Sequence, residues 1–115
     1  MARSPVVALS DILAAIDLAR AAASSLTLAE FSADRIRRAA TERALLTISE
    51  AIRHLPDDII ARHPTLQWSD MKGIGNRIRH EYWIIDPKIV WEVVQHDLDS
   101  LEHSIRAELA RIQTR

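Results

Sequence analysis

Asp86-Pro87-Lys88-Ile89-Val90-Trp91-Glu92-Val93-Val94-Gln95-His96-Asp97-Leu98 opens the stretch that decides the fold, and it runs on to Ile112. Asp86 is a good helix cap, and Pro87 sits at the first helical position, where a missing N–H costs nothing. Val90, Val94, Leu98, Leu101, Ile105, Leu109 and Ile112 then recur every three or four residues, the period of one helix face. The spacing predicts a single long helix from Asp86 to about Ile112. Nothing in the rest of the chain argues for strands. The 115 residues hold 2 Gly and 4 Pro, about half the number expected from average usage of about 7% and 5%. A β-sandwich or barrel would need turn residues roughly every 8–12 positions. Glycine-rich phosphate loops of a doubly wound α/β fold are missing too.

Working outward, the prolines mark helix boundaries. Ser4-Pro5 starts a helix whose apolar face, Leu9, Ile12, Leu13, Ile16, Ala19 and Ala23, extends to about Ser24. A second pattern begins near Leu28 and continues from Ser32 or Asp34 to Leu55, with Ile36, Ala39, Ala40, Ala44, Ile48, Ala51 and Leu55 as its stripe. Pro56 precedes a short helix, Asp57 to Arg62, with an acidic first turn that suits the helix dipole. Pro64 ends it, Thr65 to Trp68 reads as a loop, and a further helix covers Ser69 to Tyr82. The expected architecture is an all-α, up-and-down bundle of four or five helices, forming one domain over residues 1–115.

Charge and composition narrow the function. The formal net charge is −1, so no global basic field draws the chain to nucleic acid, and any such contact must come from a local patch. Absence of cysteine removes disulfides and thiolate metal sites. No apolar run reaches the roughly 18 residues of a membrane span. The amino terminus lacks a secretory apolar core, because Asp11 interrupts it. A cytoplasmic protein without membrane contact is expected.

Both glycines fall in one segment, Gly73-Ile74-Gly75-Asn76-Arg77-Ile78-Arg79-His80-Glu81-Tyr82-Trp83. Each costs about 1 kcal/mol in a helix relative to alanine, so a helix start, a close backbone approach or room for a ligand must offset it. The residues that follow suit phosphate chemistry: Arg77 and Arg79 as cations, His80 as a proton carrier, Asn76 and Tyr82 as hydrogen bonders. Helical spacing puts Asn76 and His80 on one face, where the amide is placed to orient the imidazole. Gly75, Arg79 and Tyr82 share a neighbouring face. Arg77 and Glu81, four apart, read as a surface ion pair. The plainer alternative is an amphipathic helix with a solvated basic side and a buried His80.

Other groups carry less. Arg43, Thr47 and Glu50 form a polar row on the second long helix, which either supports the motif arginines, with Glu50 holding Arg79, or fixes bundle register. His54 and His63 read as isolated surface residues. A zinc site at His96 and His103, with Asp99 between them, would need a third ligand at suitable geometry, and no metal or cofactor is expected. Trp68, Trp83 and Trp91 read as anchors of helix ends and a dimer seam. Arg35, Arg37 and Arg38 form a solvated face that can also receive an acidic partner.

The glycine-bearing segment resembles the signature of HEPN-domain proteins, and specifically of HepT-like toxins: Arg-Asn, three variable residues, His, one variable residue, Tyr. Asn76, His80 and Tyr82 occupy the matching positions. Leu9 to Ile16 is similar to the first family helix, and Phe31-x-x-Asp34-Arg35 to the start of the second. Arg43 through Ile48-Ser49-Glu50-Ala51 resembles the family's Arg…Ile-Gly-Glu-Ala helix. Leu55-Pro56, Trp68-x-x-Met71-x-Gly73 and Ile89-Val90-Trp91-x-x-Val94-x-x-Asp97-Leu98 complete a likeness over nearly the whole chain. It implies an all-α homodimer with two motif copies facing across a cleft and cleaving RNA without metal. The histidine would serve as acid or base and an arginine would stabilise the phosphorane. It also implies a minimal nucleotidyltransferase antitoxin that transfers AMP onto the motif tyrosine, here Tyr82. The catalytic set is then His80, Arg79 and Asn76, with Arg77, Glu50 and Arg43 in support.

One position departs from the pattern. Five residues before His80, where the family keeps arginine, this chain has Gly75. Arg79, one turn later on the same face, can reach back over the bare glycine. The alternative is a catalytically impaired HEPN subunit that still pairs with a nucleotidyltransferase.

Overall fold

A computed structural model describes residues 4–114. Seven helices and no strands occur among the described residues: α1 (Pro5–Ala23), α2 (Leu28–Ala33), α3 (Arg35–Ile52), α4 (Asp57–Arg62), α5 (Trp68–Glu81), α6 (Pro87–His96) and α7 (Leu98–Gln113). No helix is long and apolar enough to cross a membrane. The reading of the amino terminus falls partly on residues 1–3, outside the described residues.

The architecture is an all-α bundle in which α1 packs along α3, α3 along α5, and α7 against α1, while α2 lies on α6. Leu9, Ile12 and Ile16 of α1, Leu45 of α3, Val90 of α6 and Leu98, Leu101 and Ile105 of α7 are buried to 2% exposure or less. Burying such side chains contributes roughly 1.5–3 kcal/mol each, and this common core, rather than helix propensity, holds the segments in place.

Local chemistry explains the boundaries. Thr27 and Glu30 form a reciprocal capping box at the start of α2. Asp34 closes α2 and caps α3 through Arg37 N (3.0 Å). Asp86 caps α6 through Lys88 N (2.9 Å). The indole N–H of Trp68 donates to His63 O (3.0 Å) and that of Trp91 to Leu26 O (2.9 Å), so both fasten loops. Arg37 also caps the carboxyl end of α1, donating to Ala21 O at 3.1 Å.

Three expectations need correction. The predicted long terminal helix is two helices, broken at Asp97, where φ is −108°. Apolar spacing runs through the break, Val94 to Leu98, because periodicity reports which face is buried and not whether the axis is continuous. Ile36, expected on the buried stripe of α3, is 83% exposed. The first turn of that helix overhangs the core, and burial begins at Thr41 and Ala44.

His63, expected at the surface, binds a buried carboxylate. Glu108 of α7, 3% exposed, accepts a two-pronged contact from Arg62 (2.7 and 3.1 Å) and lies 2.7 Å from His63 Nε2. The Arg62 hydrogen bonds hold the Glu108 carboxyl at about 2, against the opposing effect of burial and with help from His63. This cluster fastens α4 to the end of α7.

Candidate active site

The site forms where α5 crosses the second half of α3, and a close approach of the two helices creates it. Gly75 is buried, and a Cβ built on it would lie 2.1 Å from Ser49 Oγ and 2.3 Å from Ser49 Cβ. Ser49 is fully buried and donates to Lys72 O on the same turn of α5 (3.1 Å). Of the three uses the sequence left open for its glycines, Gly75 therefore serves close packing. Gly73 has nothing within 4 Å of its would-be Cβ, so it does not share that role.

Close approach brings polar groups of both helices together at the edge of the seam. Arg79, one turn beyond Gly75, pairs with Glu50 of α3 through Nη2. Its Nη1 reaches back along α5 to Asn76 Oδ1 (3.2 Å). The same oxygen accepts from Arg53 Nη2 (3.0 Å), which arrives from the carboxyl end of α3. Two guanidinium groups thus converge on one neutral amide, with one carboxylate beside them. Arg43, Thr47, Glu50 and Arg79, with Asp11 and Leu46, line a shallow cleft of about 390 Å³ next to this cluster.

The expected residues divide as follows. Arg79, Asn76 and Glu50 come together, and the expected Glu50–Arg79 pair forms. Arg43 lies in the adjoining cleft, with its carbonyl accepting from Thr47 Oγ1 (3.0 Å). Arg77 is not brought in: it pairs with Glu81 at 3.5 Å on the exposed side of α5. The expected Asn76–His80 bond is not what Asn76 Oδ1 makes, since two arginines occupy it.

His80 is exposed on the last turn of α5. Among the described residues no hydrogen bond or ion pair engages its ring, so either nitrogen can meet a ligand. Tyr82 caps the same helix end at 63% exposure, its ring edge-on to Trp83 at 5.1 Å. Trp83 and Ile84 are also about two-thirds exposed, an apolar run beside the histidine.

Arg53 is the residue that sequence reasoning missed. The signal was available: Arg53 follows Glu50 by three on α3, so any packing that brings Glu50 to α5 brings Arg53 to it as well.

The relation of this seam to known proteins is direct. A family model described as "Ribonuclease HepT-like" matches residues 12–108. The chain belongs to the HepT-like ribonuclease family. A protein of Thermococcus cleftensis named "Probable ribonuclease HepT" is 31% identical over 102 residues, covering 89% of this chain and 93% of its own. Proteins named "Putative RNase" from Methanocaldococcus jannaschii and Caldanaerobacter subterraneus subsp. tengcongensis are 30% and 27% identical, over 72% and 71% of this chain and 72% and 73% of their own. No solved structure matches the chain. Membership makes this an HEPN bundle, and the matched span contains the whole α3–α5 seam. In this HepT-like chain the small residue of the seam, Gly75, lies on α5 and the hydroxyl, Ser49, on α3.

Proposed function

We propose that this chain is a metal-independent endoribonuclease and the toxin of a toxin–antitoxin pair, working as a homodimer. The observation that carries the reading is the Arg79 guanidinium, held by Glu50 and Asn76 one residue from an exposed His80. In the proposed reaction the ribose 2′-oxygen attacks phosphorus and the 5′-oxygen leaves. One His80 takes the 2′-hydroxyl proton, and His80 of a second copy protonates the leaving oxygen, each general acid or base contributing about 10²–10⁴-fold. Arg79 faces the charge that develops on the phosphorane, and Glu50 and Asn76 fix its orientation beforehand.

Neutralisation follows from the same helix end. Tyr82 presents an accessible phenol two residues from His80, so AMP placed there by a nucleotidyltransferase antitoxin would set a phosphate and a purine against the site. The charge repels RNA and the bulk blocks it. Expression of the wild-type chain should arrest growth, and His80→Ala should relieve the arrest at equal protein level. Arrest that persists in His80→Ala would rule out this chemistry.

Gly75 supports a second reading, that of a catalytically impaired subunit that binds a nucleotidyltransferase without cleaving RNA. The buried Gly75–Ser49 contact leaves no room for the family's arginine on that turn. The first reading requires Arg79 to supply the charge from one turn away.

A further inference from the structure

We propose that Arg53 is a second phosphate-binding cation of this site, gripping the RNA backbone next to the scissile position. The proposal rests on the ribonuclease reading and adds a residue that the family pattern quoted above does not include. Three observations carry it.

First, Arg53 and Arg79 donate to the same Asn76 oxygen at 3.0 and 3.2 Å, so the two donor nitrogens lie within about 6 Å of each other. Oxygens of one phosphate, or of neighbouring ones, can meet both. Second, the charges are unequally compensated. Arg79 is paired with Glu50, whereas among the described residues no carboxylate forms an ion pair with Arg53. Its partner is a neutral amide, which positions the group without cancelling its charge. Third, Arg53 is exposed at the carboxyl cap of α3 and uses one of five guanidinium donors on Asn76. The others remain for a planar, two-pronged contact with phosphate.

A chain of net charge −1 must find its affinity for a polyanion locally. Here the convergence supplies it. With the family's arginine position filled by Gly75, the second cation comes from α3 and not from α5. Asn76 acts as the positioning residue that holds both.

The test is binding of a short, 5′-labelled 2′-O-methyl RNA oligonucleotide, which cannot be cleaved, to the full-length protein by fluorescence anisotropy across a salt series. Arg53→Gln should weaken binding about tenfold at low salt and lower the slope of log K against log salt by about 0.7, the value for one single-strand phosphate contact. Arg53→Lys, which keeps the charge, should retain most of the slope. Wild-type affinity and slope in Arg53→Gln would overturn the proposal. So would equal losses in the Gln and Lys variants, which would mark a structural tie between α3 and α5. Should Arg53→Gln lose its helical circular dichroism, the Lys variant decides alone: a wild-type slope supports the proposal and a reduced slope contradicts it. Failure of the ribonuclease reading looks different, because RNA would bind with the expected dependence on Arg53 but remain uncut by the wild-type protein.

Discussion

The Gly75–Ser49 contact makes a quantitative prediction about coupled residues. In Gly75→Ala the new Cβ would sit 2.1 Å from Ser49 Oγ and 2.3 Å from Ser49 Cβ. Both atoms belong to a short, fully buried side chain with no long flexible arm to swing away. The helices must separate by more than 1 Å, roughly, to restore van der Waals distance. Overpacking of this kind costs about 1–3 kcal/mol, and the upper half fits a contact this short. Alanine returns about 1 kcal/mol of helix propensity, so the net loss should be about 1–2 kcal/mol. Ser49→Gly forfeits the hydrogen bond to Lys72 O and some propensity, about 1–1.5 kcal/mol together. If the sites were independent, the double variant would lose about 2–3.5 kcal/mol. Because Ser49→Gly removes both clashing atoms, the double variant should instead lie within about 1 kcal/mol of wild type, a coupling of about 2 kcal/mol. Urea denaturation at one fixed protein concentration measures all four corners of the cycle. Additivity within about 0.5 kcal/mol would refute the close-packing account of Gly75. The same logic says that Gly75→Arg is tolerated only alongside Ser49→Gly, the glycine that the HepT pattern carries at that point. RNA cleavage gained in that pair by an otherwise inert protein would favour the impaired-subunit reading.

Gly73, with open space around its would-be Cβ, should behave oppositely: Gly73→Ala should raise unfolding stability by up to about 1 kcal/mol, and a loss would reveal an unrecognised constraint there. Glu108 gives a pH prediction. Its folded-state value, about 2, lies below the unfolded carboxylate value. Its contribution is therefore complete above about 4.5 and fades as pH falls towards 2, so wild-type stability should fall more steeply over that window than that of Glu108→Gln, and equal slopes would contradict the shift. Glu108→Ala should cost about 2–3 kcal/mol at neutral pH, less than the roughly 3–5 of a fully buried pair because Arg62 keeps partial access to water; a cost below about 0.5 would contradict the clamp. For Tyr82, incubation with ATP and the cognate nucleotidyltransferase should add AMP to the intact mass of wild type and not of Tyr82→Phe, and an equal increment on both would exclude Tyr82 as the acceptor.

How much of this was legible in the sequence depends on the kind of interaction. Capping and helix-start chemistry is local, so Asp57–Arg62 was read with its observed boundaries and Asp86-Pro87 with its observed role. The break at Asp97 was not readable, because it is enforced by how α6 and α7 settle on different partners while the apolar face stays in register. Ile36 was misplaced since a stripe says which side of a helix is apolar, not how far the neighbouring helix extends. His63 was misread for want of its partner. A glutamate at position 108, on the stripe that holds Leu101 and Ile105, was the available sign that a buried cation or imidazole lay opposite. At the candidate site the intrahelical spacing put Arg79 one turn after Gly75, where its guanidinium meets Asn76 and Glu50, and the Glu50 pairing followed from assuming that α3 meets α5. The convergence of Arg53 and Arg79 on Asn76 depends on the crossing of two helices far apart in sequence, so the three-residue spacing of Glu50 and Arg53 becomes informative only once that crossing is assumed.

The central claim is that His80, beside an arginine fixed by Glu50 and Asn76, cuts RNA. Its most direct test is cleavage of single-stranded RNA by the purified, unmodified protein in excess chelator, wild type against His80→Ala, with folding of both verified by circular dichroism. The account predicts cleavage by wild type, ends bearing a 2′,3′-cyclic phosphate, and a loss of at least about 10²-fold in His80→Ala. Undiminished cleavage by a folded His80→Ala protein, or none by wild type, would contradict it.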